Sequence, residues 1–418
     1  MNDSPQFAAF RQSPVDVTGM RSRNRTFVLQ LLWRARELSR AELSRRTGMS
    51  RSSVSSLVSE LLDAGLVEET GTGESSGGRR PILLRFRDDA CLIAGLDMGA
   101  THIACALTDL RGNVVAWRQT AFDARSNPLG ALDECEALVD ACLDARGLRR
   151  SALAGLGLAV PSPVDPRAPG RLAPMILPAW TGLDVHEALK DRFVLPVVID
   201  NDANLGALAE RWWGAGRGGD DLVFIKLGTG VGAGFILNGE VYRGAYGIAG
   251  ELSHLSLGPQ GPPCACGQRG CLVRLIGAGA LHDRALQRLS HHPETVLRRD
   301  GLTVDALVRA AHAGDPLALE LTRELSRDLG SGIIGLLNLM SPAIVVIGGQ
   351  LSLLGDLLLE PLRTHVRQRT LWPNLGETPI VVSALGQRAI ALGAATAFLA
   401  EVLKNPELLP FASRWAPP

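Results

Sequence analysis

Three thiols and an imidazole crowd one short stretch: His254, Cys264, Cys266 and Cys271 in HLSLGPQGPPCACGQRGC. Its prolines and glycines hold no regular structure, and four such donors suit a tetrahedral divalent cation, zinc above all, with no position left open for catalysis. The other four of the seven cysteines, Cys91, Cys105, Cys135 and Cys142, are scattered through apolar runs. In a reducing compartment the cluster therefore points to metal rather than disulfides, free thiols beside a surface histidine being the alternative. Glu251, three residues before His254, could offer a carboxylate to a ligand while the metal fixes the histidine; otherwise it is a capping or surface acid.

Two glycine-rich turns could bring backbone amides close to a phosphate. The first holds Asp97, Gly99 and Thr101 between the runs LIAGLD and IACALTD; the second holds Gly228, Thr229, Gly230 and Gly232 in LGTGVGAGF. Each could equally be a tight hairpin. Two such turns half a domain apart, each joining neighbouring strands, form the pattern of a duplicated, actin-like ATPase fold, and together they raise phosphate binding. Asn201 and Asp202 end the strand PVVID and open the helix ANLGALAERWW, which presents a carboxylate at a strand's C-terminal edge, where α/β sites form. Asp202 could take a proton from a sugar hydroxyl, or the pair could only cap the helix.

Near the N-terminus the chemistry changes to that of a polyanion reader. Residues 1–87 carry 14 arginines against nine acidic residues, a surplus of about five in a chain whose net charge is zero. Arg25 to Arg36 places Phe27, Val28, Leu31 and Leu32 at helical spacing, Ser39 and Glu42 form a capping box, and Gly48 ends the second helix. Ser50 caps a third, whose Val54, Leu57, Val58, Leu61 and Leu62 face inward and leave Arg51, Ser52, Ser53, Ser55 and Ser56 outward. LVEET and RRPILLRF then make a wing around Gly77, Gly78, Arg79 and Arg80. Recognition helix and arginine finger together suit a major groove with its flanking minor groove or phosphates. A three-helix protein-interaction module with a basic loop is the alternative.

The elements behind these sites follow from length and texture. A chain of 418 residues, 46% hydrophobic and 21% charged with 46 glycines, is globular and holds two or three domains. No apolar run is long enough for a membrane span and the N-terminus lacks an apolar signal core, so a cytoplasmic location is expected. From Leu92 onward, apolar strands alternate with helices to a closing helix near 389–403, which is an α/β layout.

Taken together, these motifs resemble the ROK family (repressors, open reading frames, kinases) from Arg25 to Leu403. The resemblance rests on LDMGATHI, VPSPVD, DNDANLGALAE, LGTGVGAGFILNGEVYRG, GELSH, CACGQRGCL and IVVIGGQL, in the family's order. LSRAELSRRTGMSRSSVSSLVSELLDAGLVEE with GGRRP looks like the DNA-binding head that the family's repressors carry and its kinases lack. The implied fold is α/β, an N-terminal winged helix-turn-helix followed by a two-lobed actin-like (sugar kinase/ROK) ATPase fold. The divisions would be a flexible tail at 1–20, the winged helix at 21–88, a first lobe at 89–199 completed by a helix at 389–404, and a second lobe at 200–388 with the zinc loop 254–271.

The resemblance also implies a sugar between the lobes, contacted by Asn201, Asp202, Glu251 and His254, with Asp202 the base in kinases and a structural Zn2+ on His254, Cys264, Cys266 and Cys271. Departures bear on activity. Val273 stands where kinases have a glutamate contacting sugar, Ile176 where many have asparagine, Ser162 where many have glycine, and Ala100 and His102 replace the usual glycine and lysine. A sugar hydroxyl buried without its partners loses about 1–3 kcal/mol, so a typical hexose would bind weakly or the ligand differs. The reading is a DNA-binding regulator of carbohydrate genes, a repressor gated by a sugar or sugar phosphate, acting as a homodimer or tetramer on double-stranded operator DNA with half-sites about 34 Å apart, with no membrane partner. An ATP-dependent sugar kinase, with ATP on the two glycine turns, stays open, as does a ligand-free regulator controlled by a partner protein.

Overall fold

The computed structural model describes residues 17–73 and 80–409. Gly77, Gly78 and Arg79 at the wing tip, and the tail before residue 17, lie outside the described residues.

The head is built from α1 (Val17–Ala35), α2 (Arg40–Thr47) and α3 (Arg51–Asp63), followed by a sheet. Its strands are β1 (Glu37–Ser39), β2 (Val67–Thr72) and β3 (Ile82–Phe86), in the order β1-β3-β2. α1 begins eight residues before the expected Arg25, so residues 17–20, expected in a flexible tail, are helical instead. Its extra turns are held by Arg21, bonded to Glu60 and Ser56 of α3. Its buried stripe is Val28, Leu29, Leu32 and Trp33, with Phe27 exposed, so the face is rotated from the one the sequence suggests. Ser39 accepts from the Glu42 amide as expected, but the Glu42 carboxylate turns to Arg46 instead of closing a capping box. β1 was not anticipated; three residues are too few for periodicity to show.

The body contains two five-stranded sheets with one topology. The first has β4 (Leu92–Met98), β5 (His102–Thr108), β6 (Val114–Ala121), β7 (Leu153–Val160) and β8 (Val197–Asn201), in the order β6-β5-β4-β7-β8. The second has β9 (Leu222–Leu227), β10 (Val231–Leu237), β11 (Glu240–Val241), β12 (Ile344–Gly348) and β13 (Ile380–Val382), in the order β11-β10-β9-β12-β13. In both, an antiparallel meander continues into two parallel strands, the duplication inferred from the paired glycine turns. α4 (Pro128–Asp144) and α5 (Val185–Phe193) cover the first sheet; α6 (Asp202–Trp213) leads into the second.

α6 and the C-terminal helix Ala389–Lys404 cross at the centre, so closely that only glycine fits at the contacts. A Cβ on Gly393 would lie 1.9 Å from the Leu205 carbonyl oxygen, and one on Gly157 of β7 would lie 1.8 Å from that of Ala394. The C-terminal helix also reaches the head, where Phe398, Leu399, Val402 and Leu403 share one apolar core with Val28, Leu29 and Leu32. The join is reinforced by hydrogen bonds from Trp33 Nε1 to the Leu110 carbonyl (2.8 Å) and from Gln30 Nε2 to that of Leu403 (2.7 Å). Among the described residues, no helix is long and apolar enough to cross a membrane.

Candidate functional site

A cleft of about 720 Å³ opens between the two sheets, and both glycine turns face it. Asp97, Thr101, Asn201, Asp202, Glu251, His254 and Gly228 to Gly232 all line it, so chemistry spread over more than 150 residues converges on one cavity. Val273 and Ile176 line it too, placing two apolar groups among the polar ones.

Asp202 is the first residue of α6. Asn201, its N-cap, accepts from the Ala203 and Asn204 amides (2.9 and 3.3 Å) and donates from Nδ2 to the Ser162 carbonyl (3.2 Å). The capping role left open for this pair thus belongs to Asn201, while the Asp202 carboxylate turns to Lys226, its Oδ2 lying 2.5 Å from Nζ. Lys226, on β9, is a cleft residue that the sequence reading missed, as are Arg125, Asp305 and Gln350. Its signal is a lone lysine in the apolar strand LVFIKL. Burial opposes its charge, but Asp202 and Asp97 hold the ammonium above the usual lysine range.

In the first turn, the His102 ring folds over Gly99, where a Cβ would meet its Cε1 at 2.3 Å, and places Nε2 3.2 Å from Asp97 Oδ2. Burial works to raise the Asp97 carboxyl, yet the His102 hydrogen bond and the nearby charges of His102 and Lys226 together hold it below the ordinary range. Asp97 Oδ1 is buried with no hydrogen-bond partner. In the second turn, the Gly228 amide bonds to the Gly230 carbonyl (3.0 Å) and Thr229 and Gly230 are exposed. Gly234, just beyond, lets α6 lie flat on β10: a Cβ there would be 2.1 Å from the Ala203 carbonyl oxygen.

Glu251 faces the cleft ahead of the short turn Leu252–His254. Partial desolvation in the cleft raises its carboxyl above the usual range, against the pull of His254, although the residue keeps exposed surface. That turn delivers His254 to the cysteine loop. One donor atom from each of His254, Cys264, Cys266 and Cys271 lies within 4.8 Å of all the others. His254 Nδ1 is 3.7 Å from Cys264 Sγ, and Cys266 and Cys271 Sγ are 3.6 Å apart. Metal–sulfur bonds of 2.3 Å in a tetrahedron give an edge of about 3.8 Å, so this set could hold a metal ion. Bridges between Ser256 and Cys271 and between Pro263 and Arg269 are the loop's only strand-like pairing among the described residues.

On the head, Ser50 caps α3 by accepting from the Ser53 amide, and Arg51, Ser52, Ser53, Ser55 and Ser56 are all exposed. Ser56 differs from the rest in accepting from Arg21 of α1 (3.0 Å). Arg80 is exposed at the base of the wing; Arg79 lies outside the described residues.

The sequence pattern of the ROK family matches residues 93–401, and that of the MarR family matches residues 21–80. A putative xylose repressor of Caldicellulosiruptor sp. (strain Rt8B.4) is 32% identical over 92% of this chain and 97% of its own. A solved ROK family transcriptional regulator, a homolog of the E. coli MLC protein, superposes with a TM-score of 0.76 at 26% identity, over 93% of this chain and 98% of that one. A ROK family glucokinase from Streptomyces griseus, solved with glucose and AMPPNP, gives 0.67 at 31% identity, over 73% of this chain and 98% of its own. The kinase match thus spans about three quarters of this chain, the regulator match nearly all of it.

Proposed function

From the premise that the chain belongs to the ROK family and carries a MarR-type winged helix ahead of the family domain, we propose a sugar-responsive, DNA-binding repressor. The observation that carries this reading is the union of an exposed recognition helix with a two-lobed polar cleft through one continuous apolar core. α3 enters the major groove and Arg51, at its N-terminal turn, contacts base or phosphate; Arg79 and Arg80 serve the flanking groove. In the cleft, Asp202, Glu251 and His254 hold sugar hydroxyls, with Asn201 fixing the start of α6. The metal is a structural zinc, since all four positions are filled from the chain and none is left for catalysis. A homodimer or tetramer would present two heads to a palindromic operator, in the cytoplasm where that DNA is.

Mobility shift of the DNA upstream of the protein's own gene tests the reading, with D-xylose, D-glucose and their phosphates added at fixed salt. A specific complex released by one sugar is expected. Absence of any specific complex would sink the repressor reading; a specific complex indifferent to every sugar would leave the partner-controlled alternative.

A further inference from the structure

The arginine surplus near the N-terminus extends beyond the DNA face. A crevice of about 2080 Å³ opens where the head meets the body, and its walls carry eight arginines against five acidic residues, with no lysine or histidine. Four of the five acids are already engaged. Glu68 pairs with Arg85 (2.6 Å), Asp88 with Arg111 (2.7 Å) and Asp89 with Arg87 (3.5 Å), while Asp109 accepts from the Arg111 and Asn113 amides (2.8 and 2.9 Å). Among the described residues, Arg36 on the head side and Arg217 on the body side have no ion-pair partner. Positive charge is what the walls have left to offer.

Both arginines are held in place by the backbone. Arg36 follows α1 with a φ of 65°, in the left-handed region where a helix commonly ends on glycine. An arginine kept there against the backbone's preference points to a use for its side chain. Arg217 sits in the glycine-rich loop after α6, which Glu210 fastens: its carboxylate accepts from the Ala215 amide (2.9 Å) and its carbonyl from those of Gly214 and Gly216 (3.1 Å each). Gly218, next along, has a φ of 85°, and a Cβ there would meet nothing within 4 Å, so the loop stands open. Partial desolvation holds the Arg34 guanidinium in the same crevice below its usual range, although the residue keeps exposed surface, and a bound anion would favour its charge.

Guanidinium groups fork onto phosphate oxygens. Ordinary ligand pockets measure about 300–1000 Å³, so this volume suits an extended anion rather than a single phosphate. The crevice takes Leu62 and Gly65 from the far end of α3, and Leu62 lies roughly 17 Å along the axis from Arg51. It is therefore remote from DNA seated at the start of that helix, and a small molecule is the fitting occupant.

We propose that the head–body crevice is a second ligand site, for a small molecule carrying two or more linked phosphates, held by Arg36 from the head and Arg217 from the body. Because its anchors belong to different parts of the molecule, the ligand fixes the head on the body and so changes operator affinity. Its effect on DNA rests on the repressor reading; its binding does not.

Calorimetric titration of the full-length protein with inorganic tripolyphosphate, at fixed ionic strength and without sugar or DNA, tests the site. Wild type should bind one tripolyphosphate per chain, at least about tenfold more tightly than orthophosphate. Arg36→Gly and Arg217→Ser should each weaken that binding at least about fivefold. Arg36→Gly should melt within about 2 °C of wild type, relief of the positive φ offsetting glycine's freedom in the unfolded chain. Arg217 is exposed, so its replacement should not disturb folding. Arg51→Ala should leave tripolyphosphate binding unchanged; loss there would mean that the probe only mimics DNA phosphates, and would overturn the proposal. No binding by wild type, or equal binding by wild type and both crevice variants, would overturn it as well. ATP bound more tightly than tripolyphosphate, and lost with the same two variants, would assign the site to a nucleotide; the reverse order would assign it to an inorganic chain. In mobility shift, saturating tripolyphosphate should change the operator affinity of wild type at least about threefold and that of the double variant less than about 1.5-fold. An equal change in both would strike the coupling to DNA.

Discussion

Loss of metal from the cysteine loop would be felt first at Glu251, three residues before His254 and on the same turn. Burial pushes the Cys271 thiol up to about 12, so a cation must displace its proton to bind, and the loop has little else to order it. Cys266→Ser should therefore leave less than one zinc per chain by elemental analysis and weaken sugar binding by roughly 10-fold or more. A variant that keeps full zinc and full sugar affinity would remove this role from the loop. The four donors could be picked out from the sequence because their types and spacing suit a metal, and the fold brings them together. Lys226 could not, because a strand buried on both faces gives no alternation against which one charged residue stands out. His102 was read as a departure from the family pattern, but its fold-back onto Asp97 depends on a rotamer, which sequence does not show.

At the level of elements, α6 is the piece whose sequence was read at one end only. Twelve residues span about 18 Å, from the cleft to the head. At its far end the Trp212 ring lies 5.6 Å from that of Trp33 on α1, and Trp213 Nε1 donates to Thr396 Oγ1 of the C-terminal helix (2.8 Å). Arg111 lies over the other part of the contact, its guanidinium 4.9 Å from the Trp33 ring centre. A helix that starts at the cleft and ends against the head can carry a displacement between them. Trp212→Ala should leave sugar and operator each bound nearly as in wild type, while reducing sugar-induced operator release about fivefold, or 1 kcal/mol of coupling. Unchanged release in a mobility shift would exclude this route. Gly393→Ala probes the crossing itself. Propensity alone would make alanine stabilising in mid-helix by about 1 kcal/mol. The 1.9 Å approach to Leu205 reverses the sign, so a lower melting temperature, from overpacking of about 1–3 kcal/mol, is expected. Strand and helix alternation revealed both elements, but contacts between distant segments, such as Trp33 with Trp212, leave no local periodic trace.

For the molecule as a whole, the duplicated body was legible because its two glycine turns recur in matching places, and the head because caps, apolar spacing and local charge coincided. The continuity of head and body was not, since the shared core joins residues more than 350 positions apart. That continuity makes the response a linkage between two ligands on one body. A sugar can release DNA only by binding better to the conformation that holds DNA less well. If it lowers operator affinity by a given factor, operator must lower sugar affinity by that same factor. Titration calorimetry of sugar into free protein and into protein saturated with operator duplex should return the factor seen in mobility shift, about 5- to 150-fold in typical cases. Arg51→Ala should weaken operator binding while leaving sugar affinity of the free protein unchanged, and flatten the salt dependence by about one charge if the contact is to phosphate. Sugar affinity identical with and without bound operator would mean that sugar and DNA are read independently, and the cleft would then need another purpose than gating the head.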